Sequence, residues 1–64
     1  MTDLSVSPWL TRDEVAARLR IPKSTLESWA AERKGPPFGK FGRHVRYRLS
    51  DVIHWENVQV GDWQ

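Results

Sequence analysis

Two short groups of side chains in this 64-residue chain have the types and spacing to grip a polyanion. The first is Lys23, Ser24, Thr25, Glu27 and Ser28, just after Pro22. Short side chains at the start of a helix let it approach a groove closely, and the amides and dipole at that end favour phosphate. Serine and threonine hydroxyls can hydrogen-bond to base edges or to backbone oxygens. Glu27 could accept from a cytosine amino group, or repel phosphate and orient a neighbouring arginine. The plainer alternative makes Ser24 a second helix cap and Glu27 a solvated surface residue.

The second group is Lys40, Arg43, His44 and Arg46, gathered around Gly42. Glycine can take a turn conformation closed to other residues. An arginine beside it, at the tip of a hairpin, suits a minor groove, whose narrow width raises the negative potential. Arg46 lies two residues beyond His44 and shares its face. His44 would help to bind phosphate or pack at the tip. A generic basic turn is the alternative, weakened by the crowding of Lys40, Arg43, Arg46 and Arg48 into one short stretch.

Three helices and one hairpin must position these groups. Thr11 followed by Glu14 is a capping box, so helix one should run from about Arg12 to Leu19, with Leu10 as a staple. Val15, Ala16 and Leu19 share one of its faces. Pro22 breaks the chain after Ile21 and opens helix two, which should run to about Arg33. Leu26, Trp29 and Ala30 fall on its inner face, leaving Lys23, Ser24, Glu27 and Ser28 outward. Gly35-Pro36-Pro37 stops that helix. Phe38 to Phe41 and Val45 to Leu49 read as two strands, with Gly42-Arg43-His44 as the tip. Val45, Tyr47 and Leu49 alternate inward. Ser50 is a good N-cap for helix three, Asp51 to about Val58, with Val52, Ile53 and Trp55 in apolar contact. The expected fold is mainly α with a small β-hairpin: helix, helix, two-stranded wing, helix, a winged helix-turn-helix. Residues 1–8 read as a flexible N-terminus, 9–58 as the domain and 59–64 as a tail. Trp9 reads as a packing residue at the N-terminal edge, and Trp63 has no assignment.

Charge and composition narrow the function. The net charge is only +2, but from Arg18 to Arg48 nine Lys and Arg face Glu27 and Glu32, a net of +7, while residues 1–17 carry −2 and 49–64 carry −3. A basic middle between acidic ends points to a polyanion as partner. There is no cysteine, hence no disulfide or thiolate site, and two histidines are a poor metal set. No cofactor is expected. No apolar run suggests a membrane span or signal peptide, so the expected location is cytoplasmic. Paired buried carboxylates, a nucleophile with its base and a glycine-rich phosphate loop are all missing from the pattern, so an enzyme is not expected.

From Trp9 to Val58 the sequence resembles the phage excisionases, within the wider winged-helix group that includes the DNA-binding part of mercury-resistance regulators. The residues that carry the likeness are Leu10-Thr11, Glu14-Val15-Ala16 and Leu19; Ile21-Pro22-Lys23-Ser24-Thr25-Leu26 and Trp29; Gly35-Pro36-Pro37; Gly42-Arg43 and Val45-Arg46-Tyr47; and Ser50-Asp51-Val52 with Trp55. The resemblance implies a small architectural protein that bends attachment-site DNA beside an integrase, with cooperative self-association, and turns recombination towards excision. It places Ser24 and Ser28 at base-contacting positions, Lys23 and Glu27 near the backbone and Arg43 in the minor groove. Ser28 stands where a long basic side chain would read bases, so shape and deformability would carry more of the specificity. A small prophage transcriptional regulator is the alternative within the same domain. A third reading is an interaction module whose basic face binds an acidic protein. No long coiled coil or effector domain is expected after helix three, which disfavours a ligand-sensing regulator.

Overall fold

The structure, a computed structural model, describes residues 8–61. The readings for residues 1–7 and 62–64, Trp63 among them, lie outside the described residues. The elements in order are β1 (Trp9–Thr11), α1 (Arg12–Leu19), α2 (Lys23–Ala31), β2 (Gly39–Phe41), β3 (His44–Arg48) and α3 (Leu49–Gly61). This is the expected winged helix-turn-helix arrangement, with one addition.

The addition is β1. It pairs antiparallel with β3, Leu10 opposite Tyr47, so the wing belongs to a three-stranded sheet of order β1-β3-β2. Three residues give no alternation to read, and the last of them, Thr11, is itself the cap of the capping box. The segment therefore reads as a helix entry. Leu10 still packs partly against the cluster that holds Val15, where a staple would put it. The Leu49 N–H donates to the Pro8 carbonyl at 2.7 Å and extends the ladder.

The capping box forms. Thr11 Oγ1 accepts from the Glu14 N–H at 3.1 Å, and the Thr11 N–H donates to Glu14 Oε1 at 2.8 Å. A left-handed arginine closes each helix of the motif, Arg20 (φ 58°) as the cap of α1 and Arg33 (φ 60°) just after Glu32, the cap of α2. After α1, the Ile21 N–H reaches the Ala16 carbonyl at 3.0 Å and the Arg20 N–H that of Ala17 at 3.2 Å. After α2, Lys34 bonds Trp29 at 2.7 Å and Arg33 bonds Ala30 at 3.3 Å in the same pattern. These paired bonds satisfy carbonyls that a helix end would otherwise leave open. They offset a left-handed cost of roughly 1–2 kcal/mol at a residue with a Cβ.

Several boundaries differ from the sequence reading. Pro22, at φ −64° and ψ 146°, stands outside α2 as its cap residue rather than inside it, and the helix stops at Ala31, two residues before the left-handed Arg33. The turn of the hairpin is Gly42-Arg43 alone, because Phe41 already pairs with His44. Gly42 has φ 65° and Arg43 no positive φ, the pattern of a type II′ turn. Leu49 and Ser50 lie within α3, which starts where β3 ends and continues to Gly61, past the expected stop near Val58. No proline or left-handed glycine interrupts it there. Ile53 points to solvent, while Val52 is fully buried.

The core is small: Val15, Ala16, Leu26, Tyr47 and Val52, flanked by Leu10, Leu19, Ile21, Trp29 and Val45. Burying one large apolar side chain contributes roughly 1.5–3 kcal/mol, so each of these residues matters. Around it, Trp29 and Trp55 pack with ring centroids 5.6 Å apart, as do Phe38 and Tyr47. Gly35 turns the chain under Trp29 at φ 77°, so close that a Cβ there would come within 2.8 Å of Trp29 Cε3. Arg18 also clamps Glu56, its Nε and Nη2 donating to the two carboxylate oxygens at 2.6 and 3.0 Å, which joins α1 to α3. That hydrogen bonding holds the Glu56 carboxyl below the ordinary glutamate range and raises the Arg18 guanidinium further above neutrality.

Candidate nucleic-acid interface

The amphipathic division of α2 sets the first half of the site. Leu26 is buried and Trp29 and Ala30 are half-buried, which turns Lys23, Ser24, Glu27 and Ser28 to solvent. Thr25 is half-buried at the edge of that face. Pro22 caps α2 with no side-chain hydrogen bond. Its carbonyl accepts from the Thr25 N–H at 3.0 Å, closing the first turn.

The hairpin supplies the second half. Arg43 projects at the turn and is exposed, as are Lys40 on β2 and His44 at the start of β3. Arg46 is half-buried and donates from Nη1 to the Val45 carbonyl at 2.8 Å, which curls its stem along the strand.

These halves meet in a cleft of about 310 Å³ between the start of α1, the start of α2 and the wing. Lys23, Glu27, Arg43, His44 and Arg46 all line it, together with Thr11, Arg12, Asp13 and Val45. Ser24, Thr25, Ser28 and Lys40 stand outside the cleft. Ser24 and Ser28 lie on the exposed face of α2, and Lys40 lies on the edge strand opposite Val45. With His44 neutral, the cleft sets Arg12, Lys23, Arg43 and Arg46 against Asp13 and Glu27. The excess is positive, which suits a phosphate backbone.

Arg12 is the residue that the sequence did not single out. Its Nε donates to the Tyr47 hydroxyl at 3.3 Å, and its guanidinium lies 5.6 Å from the Phe38 ring centroid. Beside a capping threonine, nothing in its local sequence sets it apart from other charged residues of a helix start. Only the pairing of β1 with β3 brings the start of α1 over Tyr47. This same contact gives the Tyr47 hydroxyl a partner inside the protein, although the ring is buried. Lys23 Nζ approaches Asp13 Oδ1 at 3.6 Å with both side chains largely exposed. Such a pair is worth about 0–1 kcal/mol and yields readily to a phosphate. Among the described residues Glu27 makes no ion pair, so it does not hold an arginine in place.

Among the described residues no group of three or more His, Cys, Asp or Glu could hold a metal ion, and no helix is long and apolar enough to cross a membrane. A family model described as a helix-turn-helix domain matches residues 9–57. No curated protein matches the chain.

Proposed function

The chain belongs to the helix-turn-helix domain family, and on that premise we propose that it binds double-stranded DNA with α2 in the major groove and the Gly42-Arg43 turn in the adjoining minor groove. The observation that supports this is the cleft, which turns Lys23 of α2 and Arg43 and Arg46 of the wing to one side of the molecule. A helix of this kind enters the groove by its N-terminal residues, here Lys23, Ser24, Glu27 and Ser28. Lys23 and Arg46 contact the backbone and set the register. The serines approach base edges, and Arg43 reads groove width.

The finer role is that of an excisionase, a family member that bends attachment-site DNA and directs an integrase towards excision. The domain family includes excisionase-like small DNA-binding proteins, and the sequence resemblance from Trp9 to Val58 supports the same reading. An integrase and further copies of this chain on adjacent DNA are the partners it implies. The deciding experiment is an excision assay with the cognate integrase, with and without the protein, beside a promoter-output assay. Stimulated excision supports the role. Unchanged excision with altered promoter output makes the protein a small prophage transcriptional regulator using the same face. Failure to bind any duplex overturns both.

A further inference from the structure

The outer face of the sheet carries a cluster that the cleft does not explain. Side chains alternate along strands, so Trp9 on β1, His44, Arg46 and Arg48 on β3, and Phe41 on β2 fall on the face opposite Val45 and Tyr47. Trp9 and Phe41 meet edge to face across the sheet, with centroids 5.3 Å apart at 80°. The Arg48 guanidinium lies 5.0 Å from the Trp9 centroid. Gly39 makes room for this: a Cβ there would come within 3.2 Å of Phe41 Cε1, so the ring lies over bare backbone. Phe41 is nevertheless 53% exposed. A recess of about 310 Å³ opens between Trp9, Phe41, His44 and Arg46.

An aromatic pair among arginines fits a ligand that alternates apolar and anionic groups along its length. A deoxyribose-phosphate strand has that pattern. We propose that the outer face of the wing is a second DNA contact, in which Trp9 and Phe41 pack on deoxyribose of the strand bordering the minor groove while Arg46 and Arg48 hold the phosphates beside it. The proposal rests on the DNA-binding reading above and extends it.

Two observations favour a nucleic-acid strand over a protein. His44 and Arg46 line both the cleft and the outer recess, so the two surfaces are continuous, and a strand leaving the first runs onto the second. The charge also fits. The described strand residues on this face include no acid, and Asp51 stands only at the rim, beside Arg48. The exposed apolar residues of α3 in another copy, Ile53, Val58 and Val60, are the competing occupant. Among the described residues of that helix, Glu56 is already held by Arg18, which leaves Asp51 alone to face two arginines.

The test measures affinity of the full chain for a fluorescently labelled mixed-sequence duplex over a range of salt, for the wild type, Phe41→Ala and Arg48→Gln. Circular dichroism melts establish that each variant is folded. Phe41→Ala should weaken binding about five- to tenfold at every salt concentration, the scale of a partly buried apolar contact, without changing the salt slope, because the lost contact neutralises no phosphate. Arg48→Gln should flatten the slope by about one. If the wild type binds and both variants match it in affinity and slope, the outer face touches no DNA and the proposal fails, while the cleft reading stands. If the wild type does not bind, the cleft reading itself fails. If sedimentation finds a wild-type dimer that Phe41→Ala converts to monomer with DNA affinity unchanged, the face belongs to a second copy and the proposal is overturned.

Discussion

Replacing Arg43 by alanine separates a groove contact from every structural role. Arg43 is exposed at the turn and makes no ion pair among the described residues. Its loss should therefore change folding stability by no more than about 0.5 kcal/mol. Four cations line the cleft: Arg12, Lys23, Arg43 and Arg46. If each neutralises one phosphate, the cleft alone contributes about −3.6 to the slope of log K against log salt, a fall in affinity of about 150-fold between 50 and 200 mM salt. Without Arg43 that contribution should drop to about −2.7 and its share of the fall to about 40-fold. At the lower salt the variant should bind about tenfold more weakly, the scale of one lost arginine contact. Fluorescence anisotropy with a labelled duplex measures both quantities, and a gel-based bending assay should give a smaller angle. A variant with wild-type slope and wild-type bend refutes the placement of the turn in the minor groove.

Three further outcomes probe the scaffold. Gly35→Ala should destabilise the fold by roughly 2–3 kcal/mol, because a left-handed residue gains a Cβ against the Trp29 ring; a thermal melt that moves by only a degree or two contradicts it. Arg20→Gly should stabilise by about 0.5–1 kcal/mol by relieving the left-handed strain at the end of α1, less the entropy that glycine loses, and denaturant midpoints measure it. The Glu56 carboxyl is lowered in the folded protein by the Arg18 hydrogen bonds. Its contribution is therefore present above the unfolded glutamate value and lost as pH falls through the folded one. The melting temperatures of wild type and Glu56→Gln should differ near neutrality and converge in acid; a difference that grows in acid reverses the sign and refutes the account.

Much of the frame was legible because local chemistry decides it. Thr11 and Glu14 fix the start of α1 whatever the rest of the chain does, and Pro22 separates the two helices of the motif. The inner face of α2 follows from the spacing of Leu26, Trp29 and Ala30. What escaped the sequence was set by distant residues. Three residues from Trp9 cannot declare themselves a strand, since the pairing that makes them one lies far along the chain at Tyr47 and Arg48. Arg12 was missed for the same reason, because its neighbours in space come through that pairing. The left-handed ends of both helices were hidden as well. Arginine is not the residue that usually marks such a turn, and the capping bonds that hold Arg20 and Arg33 there exist only once the helices have formed.

The site and the core are joined through one side chain. Tyr47 is 1% exposed and lies at the centre of the buried cluster, yet its hydroxyl accepts from Arg12 at the wall of the cleft. On the same strand Arg46 bonds the backbone of Val45, whose own side chain packs on that cluster. In so small a chain Arg12 and Arg46, two of the cations that line the cleft, are thus oriented by residues of the core and by the backbone that carries them. This limits how far the interface can be altered independently. Lys23, Arg43 and Ser28 project from the scaffold without supporting it, so they are the positions where a change in DNA preference costs little stability. Arg12 cannot change without disturbing the contact that ties the start of α1 to Tyr47 of the wing, and Arg46 gives up only a bond to its own strand.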